Sequence, residues 1–171
     1  YDNISPCLLG GTVLLVDRNP LEYVKLNSPK LYCILVHPDI KIKTKDSRSV
    51  IPHSISLLDA SRQWGYVGGL VHGIHTNSKT LIAKSMKDII IEPNRSKLIP
   101  GFNEIKKTAI NLGAIGCGIS GSGPAIFAFA DNIDLANKIA QNTKFFFKTY
   151  SIESKSFISE INNIGPEILE A

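Results

Sequence analysis

Apolar residues fall along the chain in short runs separated by polar breaks, and their period changes from run to run. Gly11 to Val16 is rich in β-formers and predicts a strand. Asp17-Arg18-Asn19-Pro20 marks a turn, and Glu22 to Leu26 alternates weakly, as the returning arm of a hairpin would. After a second break at Asn27-Ser28-Pro29-Lys30, Leu31 to Val36 is continuously apolar, the pattern of a central strand buried on both faces. His37-Pro38-Asp39 closes it.

From Ile55 the period lengthens. Ile55, Leu58, Trp64, Val67 and Val71 recur at roughly helical spacing. Gly65, Gly68, Gly69 and Gly73 weaken that pattern and leave two readings, close helix packing or two helices with a loose join. Trp64 and Tyr66 are expected in the core. Ser78 predicts the cap of a helix running to about Ile90, followed by a polar connector from Ile91 to Lys97. Asn103 to Leu112 predicts a helix with Asn103 as cap, Ile105, Ala109 and Leu112 on one side, and Gly113 as its stop. Ala125 to Ala130 is an apolar strand pattern, and Asp131 to Gln141 reads as a helix capped by Asp131. Phe145 to Tyr150 and Phe157 to Ile161 are expected as strands. Interleaved strands and helices imply an α/β (α+β) sandwich, one sheet with helices packed on it and substantial antiparallel pairing.

Composition narrows the class. At 171 residues the chain fits one ordinary domain, or one domain with a fragment of a neighbour. With 43% hydrophobic and 20% charged residues it is neither disordered nor a coiled coil. No apolar run reaches the roughly 18 residues that span a bilayer, so no membrane association is expected. The start, Tyr-Asp-Asn-Ile-Ser-Pro, is not a signal peptide and lacks methionine, and reads as the start of a processed or excised piece. Cys7, Cys33 and Cys117 are too few for a disulfide scaffold, and a reducing cytoplasm is the expected compartment.

The net charge of +4 fits nucleic acid binding, an anionic small substrate, or nothing beyond solubility. Lys41, Lys43 and Lys45 alternate with Ile40, Ile42 and Thr44, the pattern of a strand edge guarded by lysine. No aromatic platform is interleaved with the basic residues, so nucleic acid is not expected as a partner. His72 and His75 lack a third ligand at metal-binding spacing, and no metal site is expected within the chain.

The segment Gly116-Cys117-Gly118-Ile119-Ser120-Gly121 matches the dinucleotide fingerprint G-x-G-x-x-G by letter, but a strand pattern follows it where a helix is required. It reads instead as a tight loop between two short strands, fit either for phosphate contact or for close packing. Thr44 and Arg48 share a face if the local chain is helical. Arg95 stands in the polar connector before Pro100-Gly101, and an arginine fork suits a carboxylate or a phosphate.

Four segments taken in order resemble one family. They are Asp2-Asn3-Ile-Ser-Pro6-Cys-Leu-Leu-Gly10-Gly11, Leu35 to Arg48 (LVHPDIKIKTKDSR), Ile91 to Phe102 (IEPNRSKLIPGF) and Gly113 to Ala130 (GAIGCGISGSGPAIFAFA). Together they resemble the C-terminal half of the GHMP small-molecule kinases, in the branch that phosphorylates L-homoserine. The resemblance implies a ferredoxin-like sandwich with a largely antiparallel sheet. Residues 1–13 would be the tail of an N-terminal domain and 14–171 the C-terminal domain. It implies transfer of the γ-phosphate of ATP, with Mg²⁺, to the side-chain hydroxyl of L-homoserine, in threonine biosynthesis. Arg48 and Arg95 would hold the substrate carboxylate, Thr44 would lie beside the reacting region, and Asn3 would contact substrate or help arrange the transfer. Ser120, Gly121, Ser122 and Gly123 would support the nucleotide site. Ser5 stands where the family more commonly has alanine. The family's ATP-binding loop Pro-x-x-x-Gly-Leu-Gly-Ser-Ser-Ala and its Mg²⁺-binding carboxylate are absent from the chain, which by itself is expected to be inactive. Members of the family are commonly homodimers. Two rival expectations stand beside this one: a GHMP kinase for a mevalonate-pathway or sugar substrate, and a non-enzymatic domain that binds a small ligand.

Overall fold

The computed structural model describes residues 3–168, apart from the side chain of Thr44. Asp2 of the first motif lies outside the described residues. A short helix α1 (Ile4–Leu9) leads into a hairpin of β1 (Thr12–Arg18) and β2 (Leu21–Leu26). The main sheet contains β3 (Tyr32–Pro38), β4 (Gly116–Ile119), β5 (Ile126–Ala130) and β6 (Ser154–Glu160) in the order β4-β5-β3-β6, with every neighbouring pair antiparallel. A helical stretch joins β3 to β4, and a single helix joins β5 to β6. This is the βαββαβ order of a ferredoxin-like sandwich, as the sequence leads one to expect.

Alternation along the strands sorts the core into two layers. Ile34 and Val36 of β3, Ile126, Ala128 and Ala130 of β5, and Cys117 of β4 share one face. Against it lie α6 (Phe102–Leu112) and α7 (Ile133–Thr149), which contribute Phe102, Ile105, Ala136, Ile139 and Phe147. Each of the phenylalanine and isoleucine side chains among these stabilises the fold by roughly 1.5–3 kcal/mol through burial. The opposite face carries Phe127 and Phe129. On that side α3 (Leu57–His75) and α4 (Lys79–Ser85) supply Ile74 and Ile82 to a second, smaller core.

The chain between α3 and α4 departs from one reading of the sequence. There is no loose join: α3 is a continuous 19-residue helix, capped by Ser56, whose Oγ accepts from the Asp59 amide at 3.0 Å. Gly69 and Gly73 face α4, and a Cβ at Gly73 would sit 3.0 Å from the Ile82 amide nitrogen, so the two helices touch through missing side chains. Trp64 is 65% exposed, not part of the core. Ser78 does cap α4, but that helix ends at Ser85.

Of the stretch Phe145 to Tyr150, expected as a strand, Phe145 to Thr149 is the last part of α7 and Tyr150 its C-cap. Ala136, Ala140, Thr143 and Phe147 are buried at helical spacing, and that packing overrides the β-preference of three consecutive phenylalanines. Asn132 caps α7 in place of Asp131, through an acceptance from the Leu135 amide at 2.8 Å. Gly101 takes the cap position of α6 that was expected of Asn103. The lysine-rich stretch is not a strand: residues 40–43 are irregular and α2 (Thr44–Ser49) begins at Thr44.

Candidate functional site

The polar connector folds as one helical turn, α5 (Glu92–Arg95), followed by a 3₁₀ turn at Ser96–Leu98. Pro93 lies in the first turn of α5, where the missing amide proton costs nothing. Just upstream, Asp88 Oδ1 accepts from the amides of Ile90 and Ile91 at 2.9 and 2.7 Å, which sets the entry angle of that turn. Gln63 of α3 donates to the Lys87 carbonyl and accepts from the Ile89 amide, each at 3.0 Å, and so fastens the segment to the helix.

Arg95 leaves α5 toward the glycine-serine loop. Its Nη1 donates to the Gly121 carbonyl at 2.8 Å and its Nε to the Ser47 carbonyl at 3.4 Å. Ser47, only 1% exposed, donates from Oγ to the Ser122 carbonyl at 2.7 Å. The turn α5, the helix α2 and the loop Ser120–Gly123 are therefore tied together by three hydrogen bonds. Among the described residues, two of the five guanidinium N–H groups are spent on backbone carbonyls.

The loop itself is a tight connection between β4 and β5, as its sequence suggests. Gly121 and Gly123 have φ of +56° and +79°, the left-handed region that favours glycine. Open space surrounds the place where a Cβ would stand on Gly121. Gly116 and Gly118 do different work, because they are strand positions. They pair with Phe129 and Phe127, whose rings lie 5.5 Å apart. A side chain at Gly116 would collide with Met86, and one at Gly118 would come within 3.4 Å of Glu92 Oε2. The letters of the dinucleotide fingerprint thus come from two unrelated packing demands.

A cavity of about 240 Å³ opens between α3, α5 and β4. Tyr66, Val67, Met86 and Phe127 give it apolar walls, while Glu92, Arg95 and Gly121 supply polar groups. Glu92 pairs with Lys106 of α6 at 2.5 Å. Burial lifts the Glu92 carboxyl above its ordinary range, against the opposing pull of Lys106. Burial also pushes the Cys117 thiol up to about 12.

Of the residues singled out in the sequence, Arg95 and the Ser120–Gly123 loop meet directly. Arg48 is exposed in the last turn of α2, next in the chain to the buried Ser47. Thr44 opens α2, and its side chain lies outside the described residues. Asn3 is exposed ahead of α1 and is not among the hydrogen bonds that join the others. Sequence reasoning missed Ser47, Glu92 and Lys106. Glu92 carried one legible signal, an acid directly before proline, which is how a helix starts.

Residues 70–149 match the family "GHMP kinases C terminal". Over 171 residues the chain is 44% identical to homoserine kinase of Chlorobium phaeovibrioides and 42% identical to that of Chlorobium phaeobacteroides. Each match covers 98% of the chain and 53% of the relative. The crystal structure of homoserine kinase from Cytophaga hutchinsonii superposes with a TM-score of 0.94 at 47% identity, over 98% of this chain and 54% of that one. The chain spans about half the length of these relatives. The chain therefore carries the GHMP kinase C-terminal domain.

Proposed function

We propose that the chain is the C-terminal part of a kinase that transfers phosphate from ATP to the hydroxyl of L-homoserine, a step of threonine biosynthesis carried out in the cytoplasm. The observation that carries this reading is the convergence of α2, α5 and the glycine-serine loop on Arg95. A guanidinium fork beside an open loop suits an anionic substrate next to a phosphate-bearing one. The homoserine kinases that match over nearly the whole chain favour homoserine among possible alcohols.

On this reading Arg48 and Arg95 hold the substrate carboxylate, and Thr44 and Asn3 stand near the reacting hydroxyl. Ser120 to Gly123 shape one wall of the phosphate pocket. The fit is physical: the carbonyls of Gly121 and Ser122 are drawn inward by Arg95 and Ser47, and Gly121 leaves its outer side open to an approaching group. Bound ATP with Mg²⁺ supplies the transferable phosphoryl group. The chain's own part is to bind and orient the amino acid, since phosphoryl transfer depends on positioning and charge stabilisation. Residues 1–13 are assigned to the tail of a preceding domain and 14–171 to the C-terminal domain. The nucleotide loop and metal-binding carboxylate are assigned to that preceding domain, so the chain alone is inactive.

An ADP-release assay with Mg·ATP tests this on the complete enzyme and on the chain alone. The panel is homoserine, mevalonate and galactose. Homoserine-dependent turnover by the complete enzyme and none by the chain is expected. Turnover with mevalonate or galactose in place of homoserine would overturn the substrate, and turnover by the chain would overturn the division of labour.

A further inference from the structure

A single helical turn has almost no stability of its own, because nucleation costs more than one turn of hydrogen bonds returns. The place of α5 is therefore decided by whatever grips its ends. At its far end Arg95 reaches the Gly121 and Ser47 carbonyls. At its near end Glu92 Oε1 meets Lys106 Nζ at 2.5 Å, with only 16% and 25% of the two side chains exposed. Glu92 and Arg95 are three residues apart and share a face. They line the same cavity. Gly118 of β4 faces the Glu92 carboxylate: a Cβ there would stand 3.4 Å from Oε2, in ordinary contact, and closer still to the Phe127 ring.

The pair does not earn its place through stability. Both side chains are largely withdrawn from water, so the desolvation cost offsets much of their attraction. What the ion pair adds is direction. A charge-assisted contact fixes the angle of the turn, whereas apolar side chains allow sliding.

We propose that Glu92, through Lys106, is a positioning residue that sets where the Arg95 guanidinium stands at the cavity mouth. The proposal rests on the reading of Arg95 as a carboxylate-binding group in a homoserine kinase. Glu92 touches no reacting atom in this account and acts only through Arg95.

The test uses the complete enzyme with Glu92→Gln, Lys106→Met and the charge swap Glu92→Lys with Lys106→Glu. In Glu92→Gln the KM for homoserine should rise about tenfold or more, while kcat and the KM for Mg·ATP change less than about twofold. On an Arg95→Ala background, Glu92→Gln should add less than about twofold, because the effect runs through the missing arginine. The charge swap should recover most of the loss. Equal losses on both backgrounds, or an unchanged homoserine KM, would overturn the proposal. A second measurement is independent of the substrate. Phenylglyoxal modification, followed by peptide mass spectrometry, should reach Arg95 at least about threefold faster in Glu92→Gln or Lys106→Met than in the parent, with Arg48 unchanged. An unchanged Arg95 rate would overturn the positioning role even where the enzyme proves to act on another alcohol. Failure of the parent enzyme to use homoserine, with Arg95 still released in the variants, would count against the substrate alone.

Discussion

Arg95 donates from Nη1 to the carbonyl oxygen of Gly121 at 2.8 Å, so the residue proposed to hold the substrate also holds the loop proposed to border the nucleotide site. The same guanidinium reaches the Ser47 carbonyl from Nε. Arg95→Ala removes two struts together with the proposed substrate-binding group. In the complete enzyme it should cost on the order of 2 kcal/mol or more in homoserine kcat/KM, roughly thirtyfold. Arg95→Lys should rescue little, since one ammonium cannot reproduce a fork that serves two carbonyls and a ligand. Steady-state kinetics with homoserine as the varied substrate checks both.

The glycines should divide by what surrounds them. Gly65 lies inside α3 with nothing within 4 Å of a would-be Cβ, so Gly65→Ala should stabilise the chain by up to about 1 kcal/mol through helix propensity. Gly116 lies in β4 against Met86, so Gly116→Ala should destabilise it by about 1–3 kcal/mol through overpacking. Urea titration of the two variants should move the midpoints in opposite directions.

Cysteine reactivity should follow burial. Cys7 is exposed and Cys117 buried, with the Cys117 thiol pushed up to about 12. At about pH 8 only about one Cys117 in ten thousand carries a thiolate. Iodoacetamide should therefore label Cys7 first and Cys117 only after denaturation. Peptide mass spectrometry reads the order, and prompt labelling of Cys117 in the folded chain would contradict the packing of β4 described above.

Glu92 should leave a signature in acid. Its carboxyl stands above its ordinary value of 4.5, with burial the largest cause. A group whose pKa is higher folded than unfolded adds stability below its unfolded value and loses that contribution as pH rises through the folded value. The parent chain should therefore lose stability relative to Glu92→Gln as pH rises from 4.5 through the raised pKa. Urea titrations of both proteins across that window check the sign; a constant difference would mean that the carboxyl is not buried as described.

Much of the candidate site was legible before any coordinates. Arg95 and the Ser120–Gly123 loop could be picked out because guanidinium chemistry and glycine-rich turns are properties of residue type. Ser47 could not be. Nothing in Thr44-Lys45-Asp46-Ser47-Arg48 marks the serine as the residue that turns inward while the arginine beside it stays exposed. That outcome depends on the angle at which α2 meets the loop. Gly116 and Gly118 were read as part of a loop for a similar reason: the demand for small residues comes from Met86, 30 positions before Gly116, and from the Phe127 ring on the paired strand.

The sequence alone determined the central strand β3, the helix stop at Gly113, the cap at Ser78 and the interleaving that requires a layered sandwich, because these follow from local hydrophobic period and backbone chemistry. The tertiary structure decided that Phe145 to Thr149 is helix, that α3 runs unbroken through four glycines, and that Arg95 meets Gly121. In each case the deciding contact comes from elsewhere in the chain. Phe147 is buried in the core shared by α6 and the sheet, Gly73 lies against Ile82, and the Arg95 partner is 26 residues away. Local preference is worth tenths of a kcal/mol per residue, whereas burying one large side chain is worth about 1.5–3 kcal/mol, so where the two disagree the distant contact prevails.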